Sequence, residues 1–134
     1  MTYLLDTNIC VLLIRKKSPI VLHTLTQHPI TEITVSAITV AELQYGVQKS
    51  AHPAQNQQAL DYFLLPLTIV PFDDGVAMAY GEIRAYLEAQ GTPIGAIDTL
   101  LAAQAVSLKL IFVTNNVREF GRVPGLIIED WTKP

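Results

Sequence analysis

Four carboxylates stand where an alternating run of strands and helices would put its chemistry. Asp6 ends the apolar run Tyr3-Leu4-Leu5, Glu42 opens a helix soon after Ile33-Thr34-Val35, Asp98 lies near the start of an alanine-rich helix, and Glu119 follows Leu110 to Thr114. In an open parallel sheet, ligands sit beyond the carboxyl ends of the strands, so these acids are expected to meet at one end. Two carboxylates about 5 Å apart at an effective dielectric of about 20 repel by roughly 3 kcal/mol, and such pairs multiply quickly when all the acids are close. A domain stable by about 5–15 kcal/mol cannot carry that load uncompensated. Protons or a divalent cation must neutralise the pocket. All-oxygen ligation, with no Cys nearby and no paired His, favours Mg²⁺ or Mn²⁺ over Zn²⁺.

The elements that must position these acids follow from the apolar pattern. Strands are expected at Tyr3 to Leu5, Ile33 to Val35, Thr68 to Val70, Leu110 to Thr114 and Leu126 to Ile128. Helices are expected at Asn8 to Arg15, Pro19 to Gln27, Thr39 to Lys49, Pro53 to Leu64, Asp74 to Gln90 and Ala96 to Leu108. Pro19 and Pro53 suit a first helical turn, Gly91 suits a C-terminal stop, and Asp73 with Asp74 suit a capped, negatively charged start. Alternation of this kind predicts an α/β fold, a three-layer α/β/α sandwich around a five-stranded, mostly parallel sheet.

Composition bounds the host. The chain has 134 residues, half of them hydrophobic, which is enough for one domain over 1–134 with a single sizeable core. A lone Cys10 excludes an intramolecular disulfide. No signal segment precedes the first strand and no apolar run reaches spanning length, so a soluble, cytoplasmic protein without a membrane partner is expected. The net charge of −3 is not that of a general nucleic-acid binder.

Taken singly, each acid also has an ordinary structural role. Asp6 suits an N-cap and Asp98 suits a helix N-terminus, while Arg84 four residues before Glu88 reads as a surface pair. His23, His28 and His52 have no metal-ligand spacing and read as loop or surface residues. Cys10 reads as a small buried hydrophobe, Ala77, Tyr80, Ile83 and Leu87 as a core-facing stripe, and Trp131 as an edge seal.

Taken in order, the motifs resemble a known family. The opening Leu5-Asp6-Thr7-Asn8, the segment Ser36-Ala37-Ile38-Thr39-Val40-Ala41-Glu42-Leu43, the approach Gly91-Thr92-Pro93-Ile94-Gly95-Ala96-Ile97-Asp98, and Val113-Thr114-Asn115-Asn116 with Arg118-Glu119-Phe120 are similar to PIN-domain ribonucleases. They resemble most closely the VapC toxins of bacterial type II toxin–antitoxin modules, over nearly the whole chain. The resemblance implies that Asp6, Glu42 and Asp98 are the central acids that bind Mg²⁺ or Mn²⁺. Asn116 stands where many relatives carry a fourth acid. Either Glu119 supplies the missing charge or the site works with three acids and an amide. Thr7, Ser36 and Thr114 lie beside the acids and suit groups that orient a metal-bound water.

The resemblance further implies a metal-dependent endoribonuclease that leaves 5′-phosphate and 3′-hydroxyl ends, with relatives that cut initiator tRNA in its anticodon loop. It implies a homodimer and a cognate VapB-type antitoxin. RNA contacts are expected from Arg118 and Arg122 and from Arg15, Lys16 and Lys17, although cations commonly close a helix for dipole reasons alone. Two rival functions remain open on the residues. One is a catalytically weakened PIN module that binds RNA or a protein partner, suggested by Asn116. The other is a phosphatase-like hydrolase with an aspartyl nucleophile, which would usually want a second Asp where this chain has Asn8.

Overall fold

In a computed structural model, which describes residues 2–134, five strands form one sheet. They are β1 (Tyr3–Leu5), β2 (Ile33–Ser36), β3 (Thr68–Val70), β4 (Ile111–Val113) and β5 (Ile127–Glu129). The helices are α1 (Thr7–Ile14), α2 (Pro19–Thr26), α3 (Ala37–Gln48), α4 (Pro53–Leu64), α5 (Asp74–Ala89), α6 (Ala96–Leu108) and α7 (Val117–Phe120), with a 3₁₀ turn at Ile30–Glu32. Every strand pair is parallel, in the order β3-β2-β1-β4-β5. The chain builds outward from β1 to β3, then crosses back to place β4 on the other side of β1. The strand order therefore reverses at β1 and β4, and the crevice beyond their carboxyl ends is where such sheets bind ligands.

Local chemistry sets the helix starts. The Asp6 carboxylate accepts from Thr7 N, Ser18 Oγ from Val21 N, Ser36 Oγ from Ile38 N, and Asp73 Oδ1 from Val76 N, each satisfying an N–H that the first turn leaves unpaired. These caps start α1 and α3 slightly earlier than the apolar spacing predicts. The α6 helix ends at Lys109, whose φ of 56° is left-handed. Gly121 follows α7 because a Cβ there would stand 2.7 Å from the Val117 carbonyl oxygen, a contact real side chains do not make.

Two apolar layers cover the sheet. On one face Tyr3, Leu5, Ile33 and Val35 pack with Ile9, Cys10 and Val21 and with Leu43, Val47 and Leu60 of α3 and α4. On the other, Leu4 and Phe112 pack with Ile83, Leu87 and Leu101 of α5 and α6. On α5, Ile83 and Leu87 are buried and Tyr80 packs against the core as predicted, but the stripe begins at buried Val76 and Ala77 is exposed. Nor is His28 a free surface residue. Its ring stacks on buried Trp131 at 5.1 Å, and both rings lie against Tyr3, so Trp131 fastens the C-terminal segment to the start of β1. Among the described residues, no helix is long and apolar enough to cross a membrane.

Candidate active site

The two strands at the reversal deliver the first half of the site. Asp6 follows β1 and Thr114 follows β4, and the register is held by Asp6 N donating to Val113 O at 2.9 Å. Asp6 is only 4 % exposed. A buried carboxylate must be hydrogen-bonded or protonated. Thr114 Oγ1 donates to Asp6 Oδ2 and Thr7 N to Oδ1, both at 2.7 Å. Thr114 in turn accepts from Asn116 N at 3.0 Å, and Asn116 Nδ2 donates to Glu119 Oε2 at 3.1 Å. One chain of contacts thus joins the first acid to the last, through a four-residue helix whose lack of any periodic signal hid it in the sequence.

The second half comes from α1 and α3. Glu42 is half-buried, and Thr7 Oγ1 donates to its Oε1 at 2.7 Å. The same Thr7 hydroxyl lies 3.0 Å from Thr39 Oγ1. Thr39 is fully buried and was not a candidate in the sequence. Its signal was present, because it stands three residues before Glu42 and so shares a helix face with it.

Asp98 enters from the first turn of α6, and its electrostatics link it to the other acids. Burial first, then the charges of Asp6, Glu119 and Glu42 in that order, push its carboxyl up from 3.8 to about 6. For Asp6, burial is also the main upward influence; the Thr114 and Thr7 hydrogen bonds oppose it, and Glu42 adds a further upward push. Asp98 thus lies in the field of the other three acids, and Asp6 in that of Glu42.

Other candidates fall elsewhere. Ser36 is fully buried and its hydroxyl caps α3 by accepting from Ile38 N, so it serves the helix start rather than an acid. Arg15, Lys16 and Lys17 follow the C-terminal end of α1, about 12 Å of helix from Asp6. Arg15 and Lys49 nonetheless line a groove of ≈460 Å³ that also reaches Thr7 and Glu42. Arg118 is exposed on α7, between Asn116 and Glu119. Arg122 donates from Nη1 to Pro93 O at 3.3 Å, which ties it to the loop leading into Asp98.

The donor set suits a hard divalent cation, because it offers carboxylate and amide oxygens without thiolate or imidazole. As the side chains stand, no group of three His, Cys, Asp or Glu among the described residues is close enough to hold one ion. The fit therefore rests on the chemistry of the donors and on the strained charge of Asp98.

Comparison with known proteins gives the family and the fold. Residues 3–126 match the PIN domain family. The chain is 45% identical over 134 residues to "Ribonuclease VapC2" of Rickettsia felis, covering 99% of this chain and 100% of that protein. It is 39% identical over 129 residues to "tRNA(fMet)-specific endonuclease VapC" of Salmonella typhimurium, covering 96% and 97%. Among solved structures, DNA-bound VapBC from Salmonella typhimurium superposes with a TM-score of 0.93 at 38% identity, covering 98% of each chain. VapBC2 from Rickettsia felis bound to a promoter DNA fragment gives 0.89 at 45% identity, covering 98% of this chain and 99% of that one.

Proposed function

Since the chain belongs to the PIN-domain family, we propose that it is the ribonuclease toxin of a type II toxin–antitoxin pair, a divalent-cation-dependent endoribonuclease acting on tRNA. The observation that carries the reading is that burial, and then the charges of Asp6, Glu119 and Glu42, hold the Asp98 carboxyl up at about 6, a conflict that cation binding would relieve. Asp6, Glu42, Asp98 and Glu119 are the residues that would hold Mg²⁺ or Mn²⁺. When bound, such an ion polarises a phosphoryl oxygen, lowers the pKa of water and neutralises developing charge.

The protein's own groups prepare that chemistry. Thr114 and Thr7 N satisfy both Asp6 oxygens and favour the charged form that a cation needs. Thr7 fixes Glu42 Oε1, and Asn116, at the position where many relatives have an acid, instead fixes Glu119 Oε2 by its amide. Asp98, held up at about 6 by burial and its acidic neighbours, would give up its proton to a bound cation. Arg118, exposed on α7 between Asn116 and Glu119, is the candidate phosphate contact. A single-stranded loop suits a recessed site, since its backbone and unstacked bases can reach inside.

The relatives that share the fold include chains crystallised as VapBC complexes, which supports a cognate VapB-type antitoxin here. A homodimer, a cytoplasmic location and a single domain over 1–134 complete the reading. The test is incubation of the purified, antitoxin-free protein with total RNA in Mn²⁺ or in EDTA, followed by sequencing of the ends. Cleavage in a tRNA loop with 5′-phosphate ends, present only with Mn²⁺, is expected. Cleavage in EDTA would remove the cation from the reading, and RNA binding without cleavage would leave a binding module.

A further inference from the structure

We propose that Thr39 is a positioning residue that aims the Glu42 carboxylate by donating its hydroxyl proton to Thr7; this rests on the reading of Glu42 as a cation ligand. A threonine hydroxyl has one proton, and a carboxylate only accepts. Thr7 spends its proton on Glu42 Oε1 at 2.7 Å, so in the 3.0 Å contact between Thr7 and Thr39 the donor is Thr39. The direction is then fixed as Thr39 to Thr7 to Glu42. Each donation polarises the next, and the sequence ends on the charge.

The conformation of Thr39 supports a dedicated role. Helical threonines commonly return their hydroxyl to the carbonyl four residues earlier. Thr24 does so to Ile20 O and Thr99 to Gly95 O, both at 2.8 Å. Thr39 is the third residue of α3, where the carbonyl four residues back lies in β2, and its hydroxyl turns across to α1 from a fully buried position one turn before Glu42. With Oε1 held by Thr7, Oε2 is the oxygen left to offer a cation. Thr39 touches neither cation nor RNA in this scheme, and it acts only through Thr7.

Mn²⁺ binding to the intact protein, followed by electron paramagnetic resonance, separates this role from packing. Thr39→Val keeps the shape and removes the proton, and Mn²⁺ affinity should fall roughly ten-fold, the lower end for loss of a group that orients a ligand. Thr39→Ser restores the donor and should restore the affinity. Thr7→Val should weaken binding too, and adding Thr39→Val to it should cost little more, because residues in one hydrogen-bonded series are not additive. Should Thr39→Val fail to fold, as judged by circular dichroism, Thr39→Ala carries the same expectation. Wild-type affinity in the folded Thr39 variant, or fully additive losses, would overturn the inference. Glu42→Gln is the reference: if it too binds Mn²⁺ as wild type does, the reading of Glu42 as a ligand fails instead.

Discussion

Thr114 donates its hydroxyl proton to Asp6 across 108 positions of sequence, at 2.7 Å, and so binds the ends of the two strands where the sheet reverses. Asp6 is otherwise a carboxylate at 4 % exposure, pushed up by burial. Thr114→Val should leave that oxygen unsatisfied and also free Asn116 N, at a cost of about 1–3 kcal/mol. Removing a hydrogen bond to the charged form raises the Asp6 pKa further. The cost should therefore be largest at neutral pH and shrink as the pH falls and Asp6 takes up a proton, which urea denaturation at several pH values would reveal. A pH-independent loss would assign Thr114 to packing alone.

Asp98 predicts an unusual pH profile for the cation-free protein. Its folded pKa, about 6, lies above its ordinary 3.8, so the folded state binds more protons between those values. The contribution of Asp98 to stability is fully present below about pH 4 and is lost as the pH rises through about 6. Thermal melts in EDTA should show this fall, and Asp98→Asn should flatten it and raise the midpoint at pH 7. Saturating Mn²⁺ should reverse the trend in the wild type, because an ionised Asp98 then has a partner.

The contact between Asn116 and Glu119 gives a sharp substitution. Asn116→Asp replaces an N–H donor 3.1 Å from Glu119 Oε2 with a second negative charge. Loss of the bond alone should lower the cation-free midpoint by roughly 1 kcal/mol, or about 3–5 °C, with repulsion adding to it. Mn²⁺ affinity should rise at the same time. Glu119→Gln should do the opposite on both measurements. If Asn116→Asp leaves stability in EDTA untouched, the two side chains are not coupled in solution.

Basic residues should divide by position. Arg118 lies between two site residues on α7, whereas Arg122 is engaged with Pro93 O. Arg118→Ala should weaken binding of a single-stranded RNA to the EDTA-treated protein and lower the salt slope by roughly 0.7. Arg122→Ala should leave that slope nearly unchanged and loosen the approach to Asp98 instead, read as weaker Mn²⁺ binding. Equal slopes for Arg118→Ala and wild type would return Arg118 to an ordinary surface role.

Much of this arrangement was legible in the residues, and the parts that were not share a cause. Tyr3–Leu5, Thr68–Val70, Pro53–Leu64 and Ala96–Leu108 fall where apolar runs, proline and alanine predicted them, because each is decided by local pattern. The order of the strands is not local. That β4 pairs with β1, and so brings Thr114 to Asp6, follows only from the crossover, and the alternation predicted the α/β class without the order. Thr39 shares a helix face with Glu42 in the sequence, but what its hydroxyl does there depends on a partner 32 residues away. Ser36, in the same motif as Glu42, suggested an orienting group, but the unpaired N–H of Ile38 claims its hydroxyl. His28 reads as a loop or surface residue in the sequence, and only the fold brings Trp131 onto its ring beside Tyr3.

Calorimetric titration of Mn²⁺ into the antitoxin-free protein tests most directly whether Asp6, Glu42, Asp98 and Glu119 form one cation site. The wild type should bind with release of protons at pH 6, since Asp98 is partly protonated there. Asp98→Asn should abolish both the binding heat and the proton release, while the protein remains folded and melts at or above the wild-type temperature in EDTA. Mn²⁺ binding by Asp98→Asn with wild-type affinity would contradict the assignment.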